Sequence, residues 1–183
     1  MKRISALLLV CCLFLGTFSG CKQKEAAPTL PASPTIPLLN AFSATDIDGN
    51  VVDQQIFSGH KLTMVNIWAT FCSPCIREMP DLAQLNTAYG EDFQVVGIVI
   101  DITDQYLQVL PEKKADAVQI IAETGADYLH LMPSESLYRA ILGNVSSVPV
   151  TVFVDESGNQ VGSAYIGSRS KTEWATIIEP LLK

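Results

Sequence analysis

A Cys-x-x-Cys pair placed where an apolar run hands over to a helical pattern limits the possible folds of this chain more than any other stretch. The segment is Trp68-Ala69-Thr70-Phe71-Cys72-Ser73-Pro74-Cys75-Ile76-Arg77-Glu78. The run before it, residues 62–68, is short and rich in β-branched and aromatic residues, so it reads as a buried strand. After Cys75, the residues Met79, Leu82, Ala83, Leu85 and Ala88 recur at three- and four-residue steps, the period of a helix. A helix N-terminus offers unpaired N–H groups and the positive end of the macrodipole. A thiolate there is stabilised, its pKa falling from about 8.5 toward roughly 3.5–7.5. Cys72, first in the motif, is the expected nucleophile. Cys75, three residues on, lies on the same helical face and within reach for a disulfide. Pro74 presets φ in the first turn, where its missing N–H costs nothing.

Other readings of a Cys pair compete. A structural zinc site needs four ligands, and beyond this motif only His60 and His130 are on offer as histidines. No metal is therefore expected. Covalent haem attachment needs His straight after the second Cys, where this chain has Ile76. A purely structural staple stays open, because small secreted domains use them. A redox pair is favoured by the flanking strand and helix more than by the four residues alone.

Trp68 through Met79-Pro80, followed much later by Ser147-Val148-Pro149, resembles the extracytoplasmic thioredoxin-like lipoproteins of the TlpA/ResA type. The likeness runs over about residues 38–183. Two departures show: Phe71 stands where the family usually has Trp, and Val150 follows Pro149 where Thr is usual. The resemblance implies an α/β, thioredoxin-like fold, with a central mixed β-sheet flanked by helices and an N-terminal β-hairpin extension. It implies a redox-active disulfide between Cys72 and Cys75. It further implies a cis Pro149 facing that pair, with the backbone of Val148 free to pair with an extended substrate chain. Trp68 and Pro74 join Val148 and Pro149 as expected substrate-binding residues. No cofactor is implied.

Residues 1–20 carry a positive start, Lys2-Arg3, and an apolar stretch from Ile4 to Leu15. That stretch is shorter than the ~20 residues of a spanning helix and reads as a secretory leader. Phe18-Ser19-Gly20-Cys21 resembles the lipobox of bacterial lipoproteins, making Cys21 the expected lipidation site; an ordinary cleaved leader is the alternative. The count of five cysteines fits lipidation: Cys11 and Cys12 leave with the leader, Cys21 is blocked, and Cys72 and Cys75 remain as one pair. Acyl chains anchor at about 0.8 kcal/mol per buried CH₂. Pro28, Pro31, Pro34 and Pro37 then mark residues 21–37 as a tether. The expected organisation is leader 1–20, tether 21–37 and one thioredoxin-like domain, 38–183. The net charge is −7, and losing Lys2 and Arg3 with an acid-free leader takes it to −9. An acidic body argues against nucleic acid.

Within the domain, Ala41–Ile47 and Val51–Ile56 flank Asp48-Gly49-Asn50, a hairpin signal. Residues 62–68, 73–89 and 94–100 read as a right-handed βαβ unit with Pro80 kinking the helix. A helix over 112–124 is expected to face inward through Ala115, Val118, Ile121 and Ala122, ending at Gly125. A short strand at 128–131, a short helix at 136–142 capped by Ser134, strands 150–155 and 160–166, and a helix 171–182 complete the reading. In that last helix Trp174, Ile177, Ile178 and Leu181 are expected inward. Asp101, Asp104, Glu112, Asp116 and Glu123 read as a solvated acidic face, and His60 as exposed.

The expected chemistry is reduction of protein disulfides. Cys72 attacks a client disulfide, and Cys75 then attacks Cys72 and frees the reduced client. Glu78, one turn beyond Cys75, is the candidate acceptor of the Cys75 proton, with a helix-surface carboxylate as the competing reading. Asn66 stands where cytoplasmic thioredoxins bury an Asp, and an amide exchanges no proton at neutral pH. The resemblance implies a bacterial, extracytoplasmic, lipid-anchored monomer. Its implied partners are oxidised client proteins such as apocytochrome c and a membrane electron donor of the CcdA or DsbD type. A non-catalytic binding lipoprotein and a thiol peroxidase are the alternative classes; the latter lacks the Pro-x-x-x-Thr-x-x-Cys setting around Cys72.

Overall fold

Along residues 36–183, the part of the chain that the computed structural model describes, the strands and helices follow in this order. They are β1 (Ile36–Pro37), β2 (Ser43–Thr45), β3 (Val51–Asp53), β4 (Leu62–Trp68), α1 (Ser73–Ala88), β5 (Phe93–Val99), α2 (Pro111–Thr124), β6 (Leu129–Leu131), α3 (Glu135–Ala140), β7 (Val150–Val154), β8 (Asn159–Ile166) and α4 (Lys171–Leu181). The leader, Cys21 and nearly all of the expected tether lie outside the described residues. Pro37 does not belong to a tether: β1 pairs with β8 and brings Ile36 and Pro37 into the sheet.

The main sheet has the order β1-β8-β7-β4-β5-β6. Its β4–β5 and β5–β6 pairs are parallel, and β4–β7 and β7–β8 are antiparallel. β4 is buried at all seven positions, as a central strand covered on both faces must be. Its alternation divides the core. Leu62, Met64 and Trp68 pack with Met79, Leu82, Leu85, Trp174 and Ile178 of α1 and α4. Val65 and Ile67 pack on the other face with Leu39, Phe42, Phe57, Leu137 and Leu142. Asn66 shares its period with Met64 and Trp68, so its amide is set on the helix-covered face.

The hairpin forms as β2 and β3, paired from Ser43↔Asp53 to Thr45↔Val51. Its second arm stops at Asp53, short of Ile56, because the Asp53 carboxylate accepts from the Gln55 N–H and starts a 3-10 turn, Gln54–Phe57. In α2 the inward face is not the expected one. Ala117 is buried and Ile120, Ile121 and Thr124 are half-buried, while Ala115, Val118 and Ala122 face solvent. A helix built of small and medium apolar residues offers two candidate stripes, and packing on Met79 selects the one through Ala117 and Thr124. Gly125 ends α2 in the left-handed conformation, φ 65°. Pro80 falls inside α1 without ending it.

Gly158 shows a glycine required twice over. Its φ is +76°, and an added Cβ would lie 2.5 Å from the Leu39 carbonyl oxygen. That closeness lets Leu39 N–H donate to the Gly158 carbonyl at 2.8 Å and seat residues 38–42 beside the sheet. Among the described residues no helix is long and apolar enough to cross a membrane.

Candidate active site

β4 delivers the chain to the C-terminal edge of the sheet, where the loop 69–72 turns into α1. Two contacts fix that loop. Ile100 N–H donates to the Trp68 carbonyl at 2.9 Å. The Asp101 carboxylate accepts from the Thr70 N–H at 2.9 Å and from the Thr70 hydroxyl. Asp101 therefore does not belong to a plain solvated face. Nor does Asp104, whose carboxylate takes the N–H groups of Tyr106 and Gln108. His60 is half-buried, its ring against the Glu91 carbonyl at 2.8 Å, rather than simply exposed.

Cys72 is the N-cap of α1. Its sulfur accepts from the Cys75 N–H at 3.2 Å, one of the orphan donors of a helix start. Pro74 sits exposed in the first turn. Cys72 and Cys75 are joined as a disulfide, with Cα atoms 5.3 Å apart. The two sulfurs are not equivalent in access: Cys75 is fully buried, whereas Cys72 keeps 5% of its surface. That surface opens on a groove of about 470 Å³ whose walls include Phe71, Pro74, Ile100, Val145 and Val148.

The bond before Pro149 is cis. Val148 is half-buried on the groove, and Pro149 is buried behind it, its carbonyl accepting from the Gly167 N–H at 2.9 Å. Thus Cys72, Pro74 and Val148 share one groove. Trp68 does not join them, which corrects its reading as a substrate-binding residue. It is wholly buried at the end of β4, and its indole N–H donates to His130 Nδ1 at 3.2 Å. The exposed aromatic at the mouth is Phe71, with 71% of its surface free. Its position directly before Cys72 is the signal the sequence carries for it, where it otherwise stands out only as a departure from Trp.

Glu78 is not a surface carboxylate. It is buried on the inner face of α1, one turn past Cys75. Oε1 accepts from Asn66 Nδ2 at 3.0 Å, and Oε2 accepts from the Arg169 N–H at 3.0 Å. Burial pushes its pKa up; the Arg169 N–H, the Asn66 amide, the Trp174 indole and the Arg169 charge pull the other way without cancelling it. His130 is also buried, with Nδ1 receiving the Trp68 N–H and Nε2 against the Ala126 carbonyl at 3.0 Å. Burial lowers its pKa to about 4, so at neutral pH it is uncharged.

A helix-capping cysteine bridged to a buried partner, beneath an apolar groove and beside a buried carboxylate, is an arrangement for exchanging disulfides. The sequence profile of the Redoxin family matches residues 31–169. The chain belongs to the Redoxin family. This redoxin is 33% identical to the thiol-disulfide oxidoreductase ResA of Bacillus anthracis over 135 residues, 72% of this chain and 69% of that one. It is 27% identical to the thiol:disulfide interchange protein DsbE of Vibrio cholerae over 188 residues, 98% of this chain and 94% of that one. The crystal structure of a thioredoxin-family thiol:disulfide interchange protein from Chlorobium tepidum superposes with a TM-score of 0.66 at 28% identity, covering 82% of this redoxin and 99% of that chain. Thiol:disulfide oxidoreduction of the TlpA/ResA type is thus the chemistry of this redoxin, on a thioredoxin-like fold.

Proposed function

We propose that the protein reduces disulfides of client proteins outside the cytoplasm. The observation that carries this reading is the unequal access of the two sulfurs, with Cys72 alone meeting the groove. In the reduced protein the Cys72 thiolate attacks one sulfur of a client disulfide, forming a mixed disulfide and releasing the other client sulfur as a thiolate. Cys75 then attacks Cys72, the mixed disulfide breaks, and the client leaves with two electrons and two thiols. The Cys75 proton passes to Glu78, directly or through a water.

The modest help the thiolate receives supports the reducing direction. Around Cys72 that help is the start of α1 and the Cys75 N–H, with Ser73 and Pro74 between the cysteines and no cation among them. Strongly oxidising dithiols hold their thiolate more firmly. Phe71, Ile100, Val145 and Val148 suit an apolar, extended client segment, and the Val148 backbone suits pairing with it as an added strand. Apocytochrome c, whose cysteines must be reduced before haem attachment, is a client of this kind. A membrane dithiol protein of the CcdA or DsbD type returns the electrons. The leader 1–20, a lipid on Cys21 and a tether beyond it would keep the domain at the membrane.

The deciding experiment is the reduction potential of the Cys72–Cys75 pair together with an insulin-reduction assay. A value near the ~−270 mV of reducing thioredoxins, with turnover lost in Cys72→Ser, supports the reading. A value near the ~−120 mV of strong oxidants would reverse the direction. A protein whose cysteines never cycle would be a binding module.

A further inference from the structure

We infer that Arg169 is a positioning residue for the Glu78 carboxylate, its backbone N–H holding one oxygen while its stacked guanidinium fixes the loop that presents that N–H. This rests on the proposed role of Glu78 as acceptor of the Cys75 proton and adds the part that sets where the carboxylate points.

The loop between β8 and α4 reaches two sites at once. Gly167 N–H donates to the Pro149 carbonyl at 2.9 Å, at the foot of the groove. Two residues on, Arg169 N–H donates to Glu78 Oε2 at 3.0 Å. Between them the Arg169 side chain folds back, and Nη1 donates to the Gly167 carbonyl at 2.9 Å. Its guanidinium lies 5.1 Å from the Tyr165 ring centroid and 5.0 Å from that of Trp174. A cation set against two aromatic rings that themselves meet edge-to-face is a rigid mount, which a flexible Lys does not reproduce. The start of α4 is clamped to α1 in parallel, since Lys171 N–H donates to the Asp81 carboxylate at 2.9 Å.

The surroundings of Glu78 leave Arg169 as the cation acting on it. β4 presents Asn66, whose amide also donates to Thr151 of β7 at 3.1 Å. β6 is preceded by Tyr128, whose buried hydroxyl is held protonated by burial and by the Glu78 charge. α4 presents Trp174, whose buried indole N–H also favours the ionised carboxylate. On α1 itself the neighbouring titratable group is Cys75. Without the guanidinium, the carboxylate would lose its one favourable full charge and the loop its mount.

The test is direct titration of the Glu78 carboxyl by carbon-13 NMR in wild type, Arg169→Ala and Arg169→Lys, beside the pH profile of mixed-disulfide resolution in single turnover. The expected result in Arg169→Ala is an upward shift of the Glu78 midpoint by about one pH unit, with the resolution profile moving the same way. Arg169→Lys recovers part of that shift, keeping the charge without the planar stack. Should Arg169→Ala fail to fold, Arg169→Gln removes the charge while keeping a donor for the Gly167 carbonyl and carries the same readout. An unchanged Glu78 midpoint in the folded variants, whatever happens to their melting temperature, overturns the inference. If instead Glu78→Gln resolves as fast as wild type, it is the role of Glu78 that fails, and the NMR midpoints still report on Arg169.

Discussion

Asn66 Nδ2 and Glu78 Oε1 meet at 3.0 Å across the interface between β4 and α1, twelve residues apart in the chain. An amide that cannot titrate is thus hydrogen-bonded to a carboxylate that can, one helical turn beyond the buried Cys75. The oxygen of the same amide, Asn66 Oδ1, is buried without a partner. The amide nitrogen is thus shared between Glu78 and Thr151, while the amide oxygen goes unserved.

From that contact, Glu78→Gln is expected to slow resolution of the mixed disulfide by about 10²-fold at neutral pH, leaving the first attack by Cys72 unchanged. Stopped-flow single-turnover kinetics separate the two steps. The same variant changes stability with a defined sign. Burial raises the Glu78 pKa, so the folded state holds that proton more tightly than the unfolded chain does. Ionisation then penalises the fold as pH climbs from the ordinary carboxylate range through the folded pKa. Gln can donate to Asn66 Oδ1 once the amide flips. Urea melts should therefore show Glu78→Gln gaining on wild type as pH rises, and the gap closing as pH falls.

Phe71→Ala should leave the fold intact, within about 0.5 kcal/mol, because the ring is mostly in solvent. It removes one wall of the groove. The specificity constant, kcat/KM, for a protein disulfide is expected to fall about tenfold, the scale of burying an aromatic ring against a client. Turnover of a small soluble disulfide, which does not need that wall, should hold steady.

His130 makes the fold sensitive to acid. Its folded pKa, lowered to about 4 by burial, lies below the ordinary value of 6.5. The unfolded chain binds more protons than the folded one between those limits. Stability is full above pH 6.5 and declines as pH falls toward 4, with a slope approaching about 1.4 kcal/mol per pH unit. His130→Gln should flatten that part of the curve in chemical denaturation followed from pH 4 to 7.

Gly97→Ala tests the packing that surrounds the same imidazole. An added Cβ would fall 2.2 Å from His130 Nδ1 and 3.2 Å from Trp68 Nε1. No rotamer of a methyl group avoids this, so about 3 kcal/mol of destabilisation is expected. Denaturant midpoints would check it, and a stability equal to wild type would show that the His130 ring has room to move.

Much of the fold was legible because its signals are local. The unbroken apolar run of β4, the helical steps after Cys75 and the left-handed stop at Gly125 each follow from a few adjacent residues. The site was legible at its cysteines for the same reason. What escaped was decided by packing between distant segments. Trp68 and Phe71 are three residues apart and both aromatic, yet one is sealed under His130 and the other stands in solvent. Asp101 is spent on Thr70, thirty-one residues away, and Arg169 reaches Glu78 across ninety-one. No periodicity in the sequence encodes such meetings. The inner stripe of α2 is not legible in the sequence, because Ala117 and Ala115 differ only in what lies opposite them.

The unequal burial of Cys72 and Cys75 also carries a stoichiometric consequence. Once the bridge is opened, a bulky alkylating reagent has a single sulfur of the pair to find, and labelling of Cys72 and Cys75 in the native protein should stop at one adduct, on Cys72. Denaturation would release the second. The sequence of events in each catalytic round is then imposed by architecture: whatever enters from outside must bond to the outer sulfur, and only the protein's own interior can expel it.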